Sequence, residues 1–324
     1  MMAMPAAVLS LAFLVAALCA AVMGYAIQRG ATCMVAAVDE VLTKRRADRI
    51  LGLLEAAVWV AGGLLAWAAL GGQAMLPIGY PATLATVAGG LLLGIGAFVT
   101  RACVFGAIAK FGSGDWVYIL TPLGFFLGCA TIWPVIGKFP EMHAASPLFD
   151  ATWLLVPFAL FAAWRLFEAL RAARAGGLAA HVWSPHRATA VIGIVFAISL
   201  IAIGPWAYTY ALLTLAQGRT GGVIAKFVLL FALFAGALVG GWTAGLLKRR
   251  APTRAAAIRC LGGGMLMGWG SLLIPGGNDE LLLVGIPLLQ PYAWVAVVSM
   301  GAAIALGINI ERRLAALADP ERLG

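Results

Sequence analysis

Two short stretches carry residues able to do chemistry in an otherwise apolar chain: GYAIQRGATC (residues 24–33) and GAFVTRAC (residues 96–103). In each, an apolar helix with a glycine reaches an arginine, and a cysteine follows at the head of a short apolar segment. Arg29 lies four residues before Cys33, and Arg101 lies two before Cys103. A thiol near a guanidinium and a helix N-terminus is more reactive than one packed among hydrocarbon. The same surroundings attract anions, because N–H groups and positive charge converge there. A third stretch, IPGGNDELLL (274–283), breaks at Pro275, Gly276 and Gly277 and then offers Asn278 where a thiol would complete the pattern. Asn278 suits a helix N-cap, with Asp279 and Glu280 in the first turn. Its amide is also able to donate to a solute. The candidate solute path is therefore Cys33, Cys103, Asn278, Arg29, Arg101, Gly276 and Gly277.

Plainer roles compete with this one. An arginine at the end of a span can snorkel to the interface, and a membrane cysteine can simply fill apolar space. Cys19, Cys129 and Cys260 read as fillers, whereas the repeated arginine–cysteine arrangement favours function for the other two. There is no CxxC pair and no Cys/His metal spacing, so neither a disulfide framework nor a metal or other cofactor is implied. Asp39 and Glu40 are placed to pair with Lys44, Arg45 and Arg46 at helical spacing. His143, His181 and His186 fall in loops and gain no role. No phosphate-binding loop, dinucleotide fingerprint, HExxH motif or Ser/His/Asp cluster is present.

The elements that must position these residues are membrane helices. Of 324 residues, 63% are hydrophobic and 11% charged, against roughly a quarter charged in a soluble domain. About nine runs are long enough to cross a bilayer: 5–28, 50–71, 82–100, 116–137, 151–170, 188–206, 223–247, 256–274 and 291–310. The first lacks a basic leader and reads as an uncleaved span. Alternating β patterning is absent, so the expected fold is an all-α polytopic bundle in a single integral membrane domain, 1–324. With the N-terminus outside, 19 of the 22 Lys and Arg residues fall in 29–49, 101–115, 165–187, 248–259 and 311–324, on the cytoplasmic side. The net charge of +9 is thus a topology signal, and it points to a bilayer and not to nucleic acid. Short apolar segments at about 31–43, 102–111, 207–218 and 279–286 follow glycine or proline breaks. Broken backbone inside a membrane survives only when buried in protein or lining a wet cavity, so the breaks point towards a solute path. GGLLLGIGAFVTRACVFG, from Gly89, resembles GGMLMGWGSLLIPGGNDE, from Gly263, at an offset of 174. That offset carries a span running inwards onto one running outwards. Inverted halves of roughly 1–150 and 175–324 are expected, with a solute site between them.

With these motifs in view, the chain resembles the YeeE/YedE (sulphur transport) family, which includes thiosulfate permeases. The resemblance rests on GYAIQRGATC, GIGAFVTRAC and the closing GGGMLMGWGSLLIPGGN…GIPLLQPYAWVAVVSMGAAIALG, and so covers most of the chain. It implies an hourglass of inverted halves with cysteines along a central path. It also implies passage of thiosulfate between thiols by transient S–H hydrogen bonds, without a large rocking motion. Cys33 and Cys103 match family cysteine positions. The closing motif, usually GGC, reads Gly276-Gly277-Asn278 here. An amide donates to an oxyanion but cannot take up sulfane sulfur.

The expected function is an inner-membrane permease, not an enzyme, for thiosulfate or a related small sulfur-containing anion. Its C-terminus would be cytoplasmic. The alternative is a persulfide-handling sensor or component of sulfur oxidation, working with a soluble sulfurtransferase or regulator. A third reading is a transporter of another solute class whose cysteines only pack.

Overall fold

The computed structural model describes residues 10–77, 79–137, 146–174, 183–219, 221–248 and 250–318. Among these residues the chain is helical and has no strand: α1 (Leu11–Arg29), α2 (Met34–Lys44), α3 (Asp48–Ala69), α4 (Leu84–Thr100), α5 (Val104–Gly112), α6 (Leu120–Ile136), α7 (Leu155–Arg174), α8 (Pro185–Ile203), α9 (Tyr208–Ala216), α10 (Val223–Thr243), α11 (Arg254–Leu273), α12 (Asn278–Gly285) and α13 (Pro291–Ala318). Eight helices are long and apolar enough to cross a membrane. The number is nine if α11 and α12, which meet at 53°, count as one broken span. The chain is a multi-pass helical membrane protein.

The four short segments expected from the sequence are α2, α5, α9 and α12. Each begins just after a break. At the first, Ala31 turns into the left-handed region (φ 45°), and at the second Arg101 does the same (φ 56°). Left-handed backbone costs a residue other than glycine roughly 1–2 kcal/mol, and such outliers persist only where surrounding structure holds them.

One spacing runs through the whole bundle. Leu11 and Pro185 open α1 and α8 and are 174 residues apart; the same 174 separates Met34 from Tyr208 and Val104 from Asn278. The helix partnerships recur in step. α1 packs on α10 as α8 packs on α3, and α11 packs on α6 as α4 packs on α13, while α1 meets α8 and α4 meets α11. Side-chain identity over 188–218 matches the first span poorly, yet the breaks fall at the same intervals.

Glycines set how closely these helices cross. A Cβ on Gly96 would lie 2.5 Å from the Gly263 carbonyl oxygen, and one on Gly270 would lie 2.5 Å from that of Gly89. Small residues at a crossing let two backbones touch, the main source of attraction between helices in lipid. α7 is held differently. The buried Glu55 carboxylate accepts from Arg165 Nε (2.7 Å) and Nη2 (2.9 Å), and it lies 2.7 Å from His186 Nδ1. His186, expected in a loop, is instead the second residue of α8, because Ser184 caps that helix just before it, and it has a structural partner in Glu55. His143 and His181 lie outside the described residues.

Two local expectations are corrected. Asp39 pairs with Arg312 (2.7 Å) and Glu40 accepts from the Arg49 backbone N–H (3.1 Å), not from Lys44, Arg45 or Arg46. The reason is that α2 ends at Lys44 and Arg45 adopts a left-handed conformation, which takes the basic triplet off the helix face. The N-cap of α12 is Gly277, and Asn278 is already helical.

The glycine crossings make a direct prediction. Gly96→Val should lower thermal stability by about 1–3 kcal/mol or more through overpacking. Gly262→Ala, which meets nothing within 4 Å, should leave the melting temperature unchanged in a detergent-solubilised thermal-shift assay.

Candidate functional site

The starts of the four short helices meet in the buried centre of the bundle. Each first turn leaves backbone N–H groups without an intrahelical acceptor. Three of these find a side chain on another short helix. Met34 N–H donates to Cys103 Sγ (3.1 Å), Val104 N–H donates to Asn278 Oδ1 (3.4 Å), and Thr209 N–H donates to Asp279 Oδ2 (3.0 Å). Thr209 Oγ1 also donates to Asp279 through a short contact.

Cys33 and Cys103 are the N-cap residues of α2 and α5. Cys103 Sγ accepts from the N–H of Met34, the residue that follows Cys33, which makes the two cysteines neighbours. Both thiols are free. Gly106 makes room for this pair, since a Cβ there would sit 2.5 Å from Cys33 Sγ. Cys33 is 8% exposed, and Cys103 and Asn278 are fully enclosed at 0%. Contacts therefore run from Cys33 through Met34 to Cys103 and through Val104 to Asn278.

Cys33 also lines a cavity of about 660 Å³ that opens at one end of the bundle. Arg29, Arg49, Arg101, Lys110 and Arg312 line the same cavity, with Asp39 and Glu311 as its acids. Arg29 is buried, donates from Nε to the Tyr25 hydroxyl (3.0 Å) and stacks over that ring at 5.2 Å. Arg101 does not flank Cys103. Its left-handed backbone swings the side chain outwards to Glu311 (2.7 Å), so it belongs to the rim. Gly277 packs against Thr209, where a Cβ would come within 2.6 Å of the threonine Cβ. Gly276 lies against the Glu280 carboxyl.

The structure thus brings Cys33, Cys103, Asn278 and Gly277 to the centre, puts Arg29 and Arg101 in the basic cavity, and leaves Gly276 beside Glu280. It adds two residues that the sequence reading passed over. Lys110 donates to the Arg101 carbonyl (2.9 Å) and the Tyr118 hydroxyl (2.8 Å), and it acts electrostatically on Cys33. Its signal was spacing: Lys110 is one helical turn after Gly106, on the face that carries the thiol. Tyr208 opens α9 with its hydroxyl buried, and no sequence motif marked it.

The site and fold define a helical membrane protein whose broken helices meet around buried thiols. Comparison with protein families gives this class its place. The sulphur-transport family model matches residues 29–306, and the chain belongs to that family, YeeE/YedE. No curated protein matches the chain.

The burial difference is testable. A small charged thiol reagent should modify Cys33 of the folded protein first, with Cys103 at least about tenfold slower. Mass spectrometry of the labelled peptides reads this, and equal rates would show that the centre is open.

Proposed function

We propose that this chain is a permease of the bacterial-type inner membrane for thiosulfate or a related small sulfur-containing anion. The observation that supports this best is the unbroken succession Cys33, Cys103, Asn278 at the foot of a basic cavity. In this reading the basic cavity is cytoplasmic and the N-terminus is outside, which follows the distribution of Lys and Arg. We also read the two sets of helices as inverted repeats, supported by the constant 174-residue spacing of their breaks and by the paired helix partnerships.

The chemistry suits such a solute. Thiosulfate is a dianion with one soft terminal sulfur. A conducting path needs sites strong enough to admit the ion and weak enough to release it. Thiols are weak donors, so two neighbouring ones offer serial sites of that kind. The arginines and Lys110 raise the local anion concentration and so the rate of entry. Asn278 continues the row with a harder, neutral donor.

The same pair of thiols supports a second reading. Two neighbouring cysteines can pass sulfane sulfur between them, as a persulfide-handling component would before delivering it to a soluble sulfurtransferase or regulator. The two readings separate by mass. A permease holds the anion without a covalent bond, whereas in persulfide handling a cysteine thiolate attacks the sulfane sulfur, the S–S bond of thiosulfate breaks, sulfite leaves, and one added sulfur stays on Cys33 or Cys103.

Uptake of labelled thiosulfate into proteoliposomes tests the permease directly. Cys33→Ala and Cys103→Ala should each reduce uptake by at least about tenfold, the loss of one solute hydrogen bond, with insertion and folding retained. Uptake by both variants at the wild-type rate would remove the cysteines from the path. In a host lacking its own thiosulfate uptake, growth on thiosulfate with wild type would show that two thiols and an amide suffice. Growth only with Asn278→Cys would assign the wild-type protein to another sulfur species.

A further inference from the structure

Beyond Cys103 the buried centre contains polar atoms that have no hydrogen-bond partner among the described residues: a carboxyl oxygen of Glu280 and two groups able to donate. Asn278 Nδ2 and the Tyr208 hydroxyl are both buried, and neither has a hydrogen-bond partner among the described residues. Asn278 is 0% exposed and Tyr208 is 2% exposed. A buried polar group left unmet costs about 1–3 kcal/mol, and two in one place call for an explanation.

Both belong to segments that meet the start of α5, where Cys103 is the N-cap. Asn278 accepts from Val104, the residue after Cys103, through Oδ1. That bond fixes the flip of the amide, so its NH2 is the end left to donate. Tyr208 is the first residue of α9, and its phenol is within electrostatic reach of Asp279 first and of Cys103 second. The ring is fixed by edge contact with Phe234, at 6.0 Å between centroids and 78° between planes. Thr209, next in the chain, is bonded through its N–H to Asp279 (3.0 Å), next to Asn278. The starts of α9 and α12 are thus joined, and the two unmet donors are carried on the joined segments.

We propose that Tyr208 and Asn278 form an oxyanion subsite next to Cys103, which takes the oxygen-bearing end of the solute while the thiol meets its sulfane sulfur. This rests on the permease reading and narrows its substrate class. Phenol and amide N–H or O–H are hard donors that favour sulfonate-type oxygens. Sulfide and polysulfide have no oxygen and would leave both donors unmet. The subsite therefore selects a sulfur anion that carries oxygens at one end and a soft sulfur at the other.

Tyr208→Phe is a clean probe, because it removes only the oxygen. If the hydroxyl has no role, deleting an unmet buried group should leave the protein as stable or more so and leave solute binding unchanged. Binding of radiolabelled thiosulfate to the purified full-length protein is measured together with thermal melting. The expected result is a Kd raised by about tenfold or more, the loss of one hydrogen bond to an anion, with the melting temperature equal or higher. Wild type should bind thiosulfate in preference to polysulfide. Unchanged thiosulfate affinity in Tyr208→Phe, or wild-type preference for polysulfide, overturns the subsite. Failure of the permease reading looks different: wild type that binds thiosulfate, with the Tyr208→Phe effect, but moves none into proteoliposomes keeps the subsite and removes the permease. Binding of neither anion overturns both.

Discussion

A helix cannot break in an apolar bundle unless the N–H groups it exposes find acceptors. This structure meets that demand by having the broken helices serve one another. The α2 start is satisfied by a sulfur of the α5 start, the α5 start by an amide oxygen of α12, and the α9 start by a carboxylate of α12. The starts of α2, α5 and α9 are therefore not complete alone: without α5 the α2 start loses its acceptor, and without α12 the α5 and α9 starts lose theirs. The thiol at Cys103 is thereby both a structural acceptor and the most enclosed nucleophile in the row.

That mutual dependence requires the long helices to hold the breaks in register. The glycine crossings between α4 and α11 do this, because their backbones meet at Gly89 with Gly270 and again at Gly96 with Gly263. Two contacts along one pair fix both the tilt and the slide of the helices. The ends of α4 and α11 then deliver Cys103 and Asn278 to opposite sides of one point. The acids Asp279 and Glu280 lie buried at the centre, where Asp279 accepts from Thr209, while Arg101 and Arg312 are balanced at the rim by Glu311 and Asp39.

The long helices and all four short ones were legible in the sequence, because glycine, proline and polar interruptions in apolar runs have no other common use. Cys33 and Cys103 were legible because the arginine–cysteine pattern occurs twice. What was not legible depended on contacts between elements distant in sequence. Tyr208 looks like any aromatic residue in a span until its hydroxyl is seen to be enclosed without a partner. Asn278 read as a cap because local preference favours that position, but the Gly277 backbone takes the cap and frees the amide to reach α5. Asp39 and Glu40 were paired with the nearest cations in sequence, whereas a left-handed residue after α2 removed those cations and left Arg312 and Arg49 alongside. His186 gained its partner from α3, more than a hundred residues earlier.

The two sets of helices match in spacing but not in chemistry, and the mismatch bears on how a solute would be handled. Shifted by 174, Cys33 falls on Ala207 and Cys103 on Gly277, so neither N-cap thiol has a counterpart. Thr209 occupies the space a side chain at 277 would need. The second set instead presents an amide and a phenol one residue later, at Asn278 and Tyr208. Soft donors therefore come from one set of helices and hard donors from the other. A symmetric ring of thiols would treat the two ends of a thiosulfate-like ion alike. If the proposed subsite holds, an asymmetric centre would bind the ion in one orientation, with its oxygens towards the second set and its sulfur towards the first. On the proposed topology the sulfur end would then face Cys33 and the basic cavity.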